Sequence, residues 1–193
     1  MRSPALWPMA VRLRRRGYAP VVFSYSTLWR EPSMAMERLA LKLYQFGNQP
    51  VHLVAHSLGG LIAAETLSRY QGLPPGRLVC LGSPLAGSAA ARGLLARRLA
   101  FVAGRSGGLL RGGLAQLPPR REVGMIAGDR SLGLGRFFGR LEGGNDGTVS
   151  VWETQLAGLA DGVVIHCSHS GLILSAQAAE LAGNFLDSGR FRP

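Results

Sequence analysis

The residues of this chain best placed to do chemistry lie in the run Ala55-His56-Ser57-Leu58-Gly59-Gly60. The short apolar stretch Val51 to Ala55 leads into it, and a helical pattern begins at once behind it. A serine hydroxyl is a weak nucleophile, so a fold that uses one must expose it and set a base beside it. A sharp turn from a strand's carboxyl end into a helix does the exposing, because it lifts the serine side chain above the sheet. Such a turn strains the serine backbone and crowds its neighbours, so small residues are needed two positions before and two after. Ala55 and Gly59 stand there, and Gly60 adds further room. The pattern departs from G-x-S-x-G only in its first position, where Ala is small enough for the turn to accept.

A base and an acid must then come from elsewhere in the chain. Asp146 sits in the Gly-flanked turn Gly143-Gly144-Asn145-Asp146-Gly147, followed by a β-like run; its rival Asp129 comes straight after Gly128, with no turn to carry it over a site. His166 closes the run Val163 to Ile165 and is placed to face a core, whereas His169 lies in the loop beyond, ahead of a helix. Asp146 and His169 are therefore preferred. In these roles His169 takes the Ser57 proton and returns it to the leaving group, while Asp146 fixes the tautomer and steadies the imidazolium. His56 adjoins Ser57, so its ring is expected to point away and pack near the pocket mouth, and His52 reads as a satisfied strand residue. With no Cys/His/carboxylate cluster at ligand spacing, neither a metal nor another cofactor is expected.

The surrounding pattern supplies elements to position these groups. Trp7 to Leu13 has helical spacing and stops at Gly17, and Tyr18 to Tyr25 reads as a strand. Ser33 is the candidate cap of a helix through Met36, Leu39, Leu43 and Phe46. Val51 to Ala55 is β-branched and apolar enough for a buried parallel strand. A helix follows Ser57 as far as Tyr70, and Leu78 to Leu81 forms the next strand. Periodicity weakens from Leu85 to Arg121, where a lid or a linker fits equally, with one helix over Arg92 to Val102. Glu122 to Ala127 and Val163 to Ile165 complete the strands, and Leu172 to Phe185 the helices. Strand–helix–strand units at this spacing give a parallel α/β sheet. No internal repeat or boundary divides residues 1–193, so a single domain is expected.

Composition narrows the function classes. A hydrophobic content of 47% against 17% charged residues is that of a globular chain. The net charge of +11 suggests an anionic partner, yet Lys42 is the one lysine among 22 basic residues. That arginine skew, with abundant Ala, Gly, Leu and Pro, is what a GC-rich coding sequence produces. The clusters Arg12, Arg14, Arg15, Arg16 and Arg120, Arg121 carry no interleaved aromatic platform, so nucleic acid is not expected as a partner. Weak, salt-screened attraction to a membrane surface fits the charge better. No segment reads as a transmembrane span or as a signal peptide, which points to a cytoplasmic location for the chain as given, with a targeting signal in an upstream extension as the alternative. Cys80 and Cys167 fall in apolar runs without a C-x-x-C pair and read as buried free thiols in strands.

The chemistry-bearing segments resemble lipase- and esterase-like α/β hydrolases. Ala-His-Ser-Leu-Gly-Gly is similar to their nucleophile elbow, and Leu81-Gly82-Ser83-Pro84 with Gly87-Ser88 to their G-[ST]-P-x-x-G-S segment. Asn145 to Val149 resembles their acid loop and Ser168 to Leu172 their histidine loop. The resemblance implies a three-layer fold, the chain order Ser, acid, His that Ser57, Asp146 and His169 obey, and an ester or lipid-like small-molecule substrate. It also implies an oxyanion hole with one donor on Leu58 and a second on a His-Gly loop after an earlier strand. No such strand or loop precedes Tyr18. The expectation is that the chain starts at an internal Met, with a further ~20–30 residues upstream, enough for a strand and its loop. Loss of one donor typically costs about a hundred- to thousand-fold in rate, so a binding-only hydrolase fold and an acyltransferase stand as alternatives.

Overall fold

The computed structural model describes residues 3–25, 31–88, 106–132 and 143–192. Strands β1 (Leu53–His56), β2 (Leu78–Leu81), β3 (Val123–Gly128) and β4 (Asp161–Ile165) form one parallel sheet in the order β1-β2-β3-β4. A 3₁₀ turn (Ser3–Leu6) leads into α1 (Trp7–Arg15), and α2 (Pro32–Tyr44) precedes β1. Helix α3 (Leu58–Arg69) joins β1 to β2, the short α4 (Gly107–Gly112) lies between β2 and β3, and α5 (Ala176–Ser188) follows β4.

Every residue of β2 is 0% exposed, the state of a central parallel strand covered on both faces. Alternation assigns the faces. Val79, Leu81 and Ile126 pack with Met9 and Leu13 of α1 and with Phe185 and Leu186 of α5. Leu78, Cys80, Val123 and Met125 pack with Leu39 and Leu43 of α2 and with Leu61 and Ala64 of α3. The result is a three-layer α/β fold of the kind expected. Arg16, part of the amino-terminal basic cluster, bridges two outer helices by donating to the Glu180 carbonyl, Asn184 and Asp187. No described helix is long and apolar enough to cross a membrane.

Several expectations need correction. Residues 18–25 form no strand, because the side of β1 away from β2 has no strand among the described residues to complete a ladder. The segment packs by its rings instead: Tyr18 meets His52 edge-on, Phe23 joins the cluster with Leu53 and Ala55, and Tyr25 stacks on Phe23. Helix α2 starts one residue before Ser33, with Pro32 in the first turn and Glu31 at the N-cap position, since proline's fixed φ suits that place. The last helix begins at Ala176 rather than Leu172, with the Ser175 hydroxyl accepting the Ala178 amide as its cap. Cys167 lies beyond β4 and is half-buried, while Cys80 is buried in β2; both are free. The helix expected over Arg92 to Val102 falls outside the described residues, and of the possible lid the structure describes α4, tied to the loop after β2 by Ser88 N–H on the Leu110 carbonyl.

Glycine is required in β3. A Cβ on Gly124 would sit 2.7 Å from both the Phe185 and Phe191 rings, whereas one on Gly162 in β4 meets nothing within 4 Å. Gly124→Ala should therefore destabilise the fold by about 1–3 kcal/mol, and Gly162→Ala should leave the melting temperature unchanged or slightly raised. Thermal melts of the two variants check the packing of α5 on the sheet.

Candidate active site

Strand β1 ends at His56, and Ser57 turns the chain into α3 at φ 55° and ψ −129°. A non-glycine residue there carries strain of about 1–3 kcal/mol, which persists only where the surroundings over-determine it. Here the Ser57 amide donates to the Leu81 carbonyl at 2.9 Å, and its own carbonyl accepts from Gly60 at 3.0 Å. The tightest small-residue position is Gly60, where a Cβ would lie 2.2 Å from Ser83 Oγ and 3.0 Å from Cys80 Sγ. Gly59 is more open, its Cβ position 3.3 Å from the Tyr25 hydroxyl. Leu58 begins α3, so its amide is one of the donors that a helix leaves open at its amino end.

Asp146 is 1% exposed. One carboxylate oxygen, Oδ1, accepts the Thr148 and Val149 amides at 2.9 and 2.8 Å, and Oδ2 lies 2.6 Å from His169 Nδ1. A carboxylate in this setting accepts, so Nδ1 carries the proton and Nε2 is left as the basic nitrogen. The backbone repeats the link, with the His169 amide donating to the Asp146 carbonyl at 2.9 Å. Glycines at the ends of β2 and β3 make room for the pair. A Cβ on Gly82 would lie 3.0 Å from Asp146 Oδ2 and 3.2 Å from His169 Nδ1, and one on Gly128 would lie 2.9 Å from Asp146 Cβ.

Glu153 was not singled out from the sequence. It is fully buried and accepts the Ser150 amide at 2.7 Å, while its carbonyl takes the Ala86 amide at 2.9 Å. It thereby pins the acid turn to the loop after β2. The signal was present as Ser150-x-x-Glu153, the spacing of a capping box.

His56 does not point away. It is 6% exposed, its ring centroid is 4.5 Å from that of His169, and its Nε2 lies 2.9 Å from the His169 carbonyl. The reason is that the histidine loop crosses directly beside the end of β1. The rival groups pair with each other at the surface: His166 Nδ1 lies 2.9 Å from Asp129 Oδ1, and both side chains are exposed. His52 accepts the Arg77 amide at its Nδ1. Asp146 and His169 are thus joined directly. Among the described residues, Ser57 has no hydrogen bond to His169, and the contact between their segments runs through His56. Two clefts of about 290 and 440 Å³ open at the amino ends of the strands, away from Ser57. No cluster of three His, Cys, Asp or Glu side chains among the described residues is placed to hold a metal ion.

Burial, reinforced by the neighbouring His169, pushes the His56 pKa down from 6.5 to about 3. The unfolded chain therefore takes a proton at this residue below pH 6.5, and the folded one only near pH 3. Acid favours the state that binds the proton, so stability should fall as pH drops across that window, by on the order of 1 kcal/mol per pH unit from this residue. Denaturant titrations against pH should show a shallower slope in His56→Gln.

The alpha/beta hydrolase family model matches residues 3–189. Among solved structures the chain is similar to the Bacillus licheniformis lipase BlEst2 in mature form, at 23% identity and a TM-score of 0.75, covering 96% of this chain and 86% of that one. It is also similar to the Pyrococcus furiosus esterase PF2001, at 14% identity and a TM-score of 0.58, covering 94% and 74%. A third likeness is the surfactin thioesterase domain SrfTE, at 13% identity and a TM-score of 0.59, covering 96% and 84%. At these identities the likeness is one of fold. No curated protein matches the chain.

Proposed function

This chain belongs to the alpha/beta hydrolase family, and on that footing we propose that it hydrolyses carboxylic esters of acyl or lipid-like substrates through an acyl-Ser57 intermediate. The observation that carries the reading is the buried Asp146–His169 hydrogen bond of 2.6 Å, set beside a serine held at a positive φ between β1 and α3. His169 Nε2 takes the Ser57 proton as Oγ attacks the ester carbonyl. The Leu58 amide donates to the oxyanion of the tetrahedral intermediate. His169 then passes the proton to the departing alcohol, and water repeats the sequence against the acyl-enzyme. Asp146 stays ionised throughout, orienting the ring and stabilising its charged form. The similar folds of proteins named as a lipase, an esterase and a thioesterase support acyl chemistry over peptide hydrolysis. The last is named for cyclization of a lipopeptide; acyl transfer, with an alcohol replacing water as acceptor, is the nearest variant of the reaction.

A binding-only reading has one observation in its favour. Among the described residues no strand and loop precede β1 to bring a second oxyanion donor.

A fluorophosphonate probe separates the two. Labelling of the folded wild type that is lost in Ser57→Ala and in His169→Ala supports the enzyme, while a folded protein that never labels favours binding alone. The acid is assigned by ester turnover: Asp146→Asn should lower kcat by about 10⁴, and Asp129→Asn should leave it within about twofold, as expected of a surface substitution. The opposite ranking would move the acid role to Asp129.

A further inference from the structure

His56 is a buried imidazole that the proposed reaction does not use. We propose that it is a positioning residue for the base: its Nε2–H holds the backbone carbonyl of His169 and so sets the His169 ring against Asp146. The inference rests on the reading of Ser57, Asp146 and His169 as a triad.

A carbonyl only accepts, so the 2.9 Å contact fixes the His56 tautomer with its proton on Nε2. His169 is then held at three points. Its amide donates to the Asp146 carbonyl, its Nδ1–H donates to the Asp146 carboxylate, and its carbonyl accepts from His56. The first two ties both lead to the acid turn. The third leads to β1, the element that carries Ser57, so it alone among the three couples the base to the strand bearing the nucleophile. The rings pack at 4.5 Å with an interplanar angle of 46°. Among the described residues, the titratable groups whose charges act on His56 are His169 and Asp146. A neutral neighbour suits this place, because a second cation would oppose the imidazolium that forms on His169 during turnover. Packing alone does not account for the residue: His56 Nδ1 is buried with no hydrogen-bond partner among the described residues, a cost that an apolar side chain of similar size would avoid.

Three variants test the assignment. His56→Leu keeps volume and removes the donor, His56→Gln returns an N–H near the Nε2 position, and His56→Asn carries an amide too short to reach. The Leu and Asn variants should lose about 10- to 100-fold in kcat with KM changed less than about threefold, as misplacement of a catalytic group does. The acid limb of their kcat/KM profiles should shift to lower pH, since a misaligned Asp146 stabilises the imidazolium less. The far-downfield proton NMR signal of the His169–Asp146 bond should weaken or vanish. His56→Gln should restore all three. Wild-type kcat, pH profile and downfield proton in the Leu variant would overturn the proposal, and so would an Asn variant equal to Gln. A loss in kcat that Gln does not repair, with the acid limb unmoved, would leave His56 as packing only. The NMR signal needs no turnover. A wild type that neither labels nor turns over would therefore sink the triad reading while the signal still reports on His56, and an active wild type with an unaltered Leu variant would sink this inference alone.

Discussion

Burial of an ionised carboxylate at 1% exposure is the demand around which the carboxyl ends of the strands are arranged. Removed from water without compensation, such a group would be severely destabilising. Asp146 is compensated on both oxygens, one by two backbone amides of its own turn and the other by His169. The turn in turn depends on buried Glu153, and the space for the pair depends on Gly82 and Gly128, where side chains would enter it. Elements separated widely in the chain therefore converge on one hydrogen bond. The same bond leaves His169 Nε2 as the basic nitrogen of a ring held in the loop after β4.

The sheet is less complete on its other flank. Strand β1 leads into the Ser57 turn, yet among the described residues no strand pairs its second edge, and the rings of Tyr18, Phe23 and Tyr25 pack near it and its ends instead. Rings bury apolar area but supply no ladder, so the position of β1 rests on β2, on α3 and on contacts at its carboxyl end. That makes the tie from His56 to the loop around His169 matter more here, since it braces the end of a strand that, among the described residues, is paired on one side.

Much of the fold and most of the candidate site could be read from the sequence because the signals were local. An apolar run ending in Ala-His-Ser-Leu-Gly-Gly specifies a strand, a turn and a helix within a few residues, and the Asn145-Asp146-Gly147 turn and the loop around His169 are equally self-contained. What escaped depended on distant partners. Residues 18–25 have strand-like composition, but a strand exists only when a neighbour completes its hydrogen bonds. The direction of the His56 ring is set by a carbonyl 113 positions away. The tightest glycine of the elbow proved to be Gly60 rather than Gly59, because Ser83 and Cys80 press on it from the adjacent strand and its loop.

In the proposed reaction, acyl transfer passes through Ser57 under the control of His169. Its most direct measurement is mass spectrometry of the protein quenched during turnover of a slowly deacylated ester, followed by peptide mapping. The expected result is an added acyl mass on the peptide containing Ser57, and no such mass in His169→Ala. Ester turnover with the acyl group on another residue, or with no covalent adduct at any stage, would contradict it.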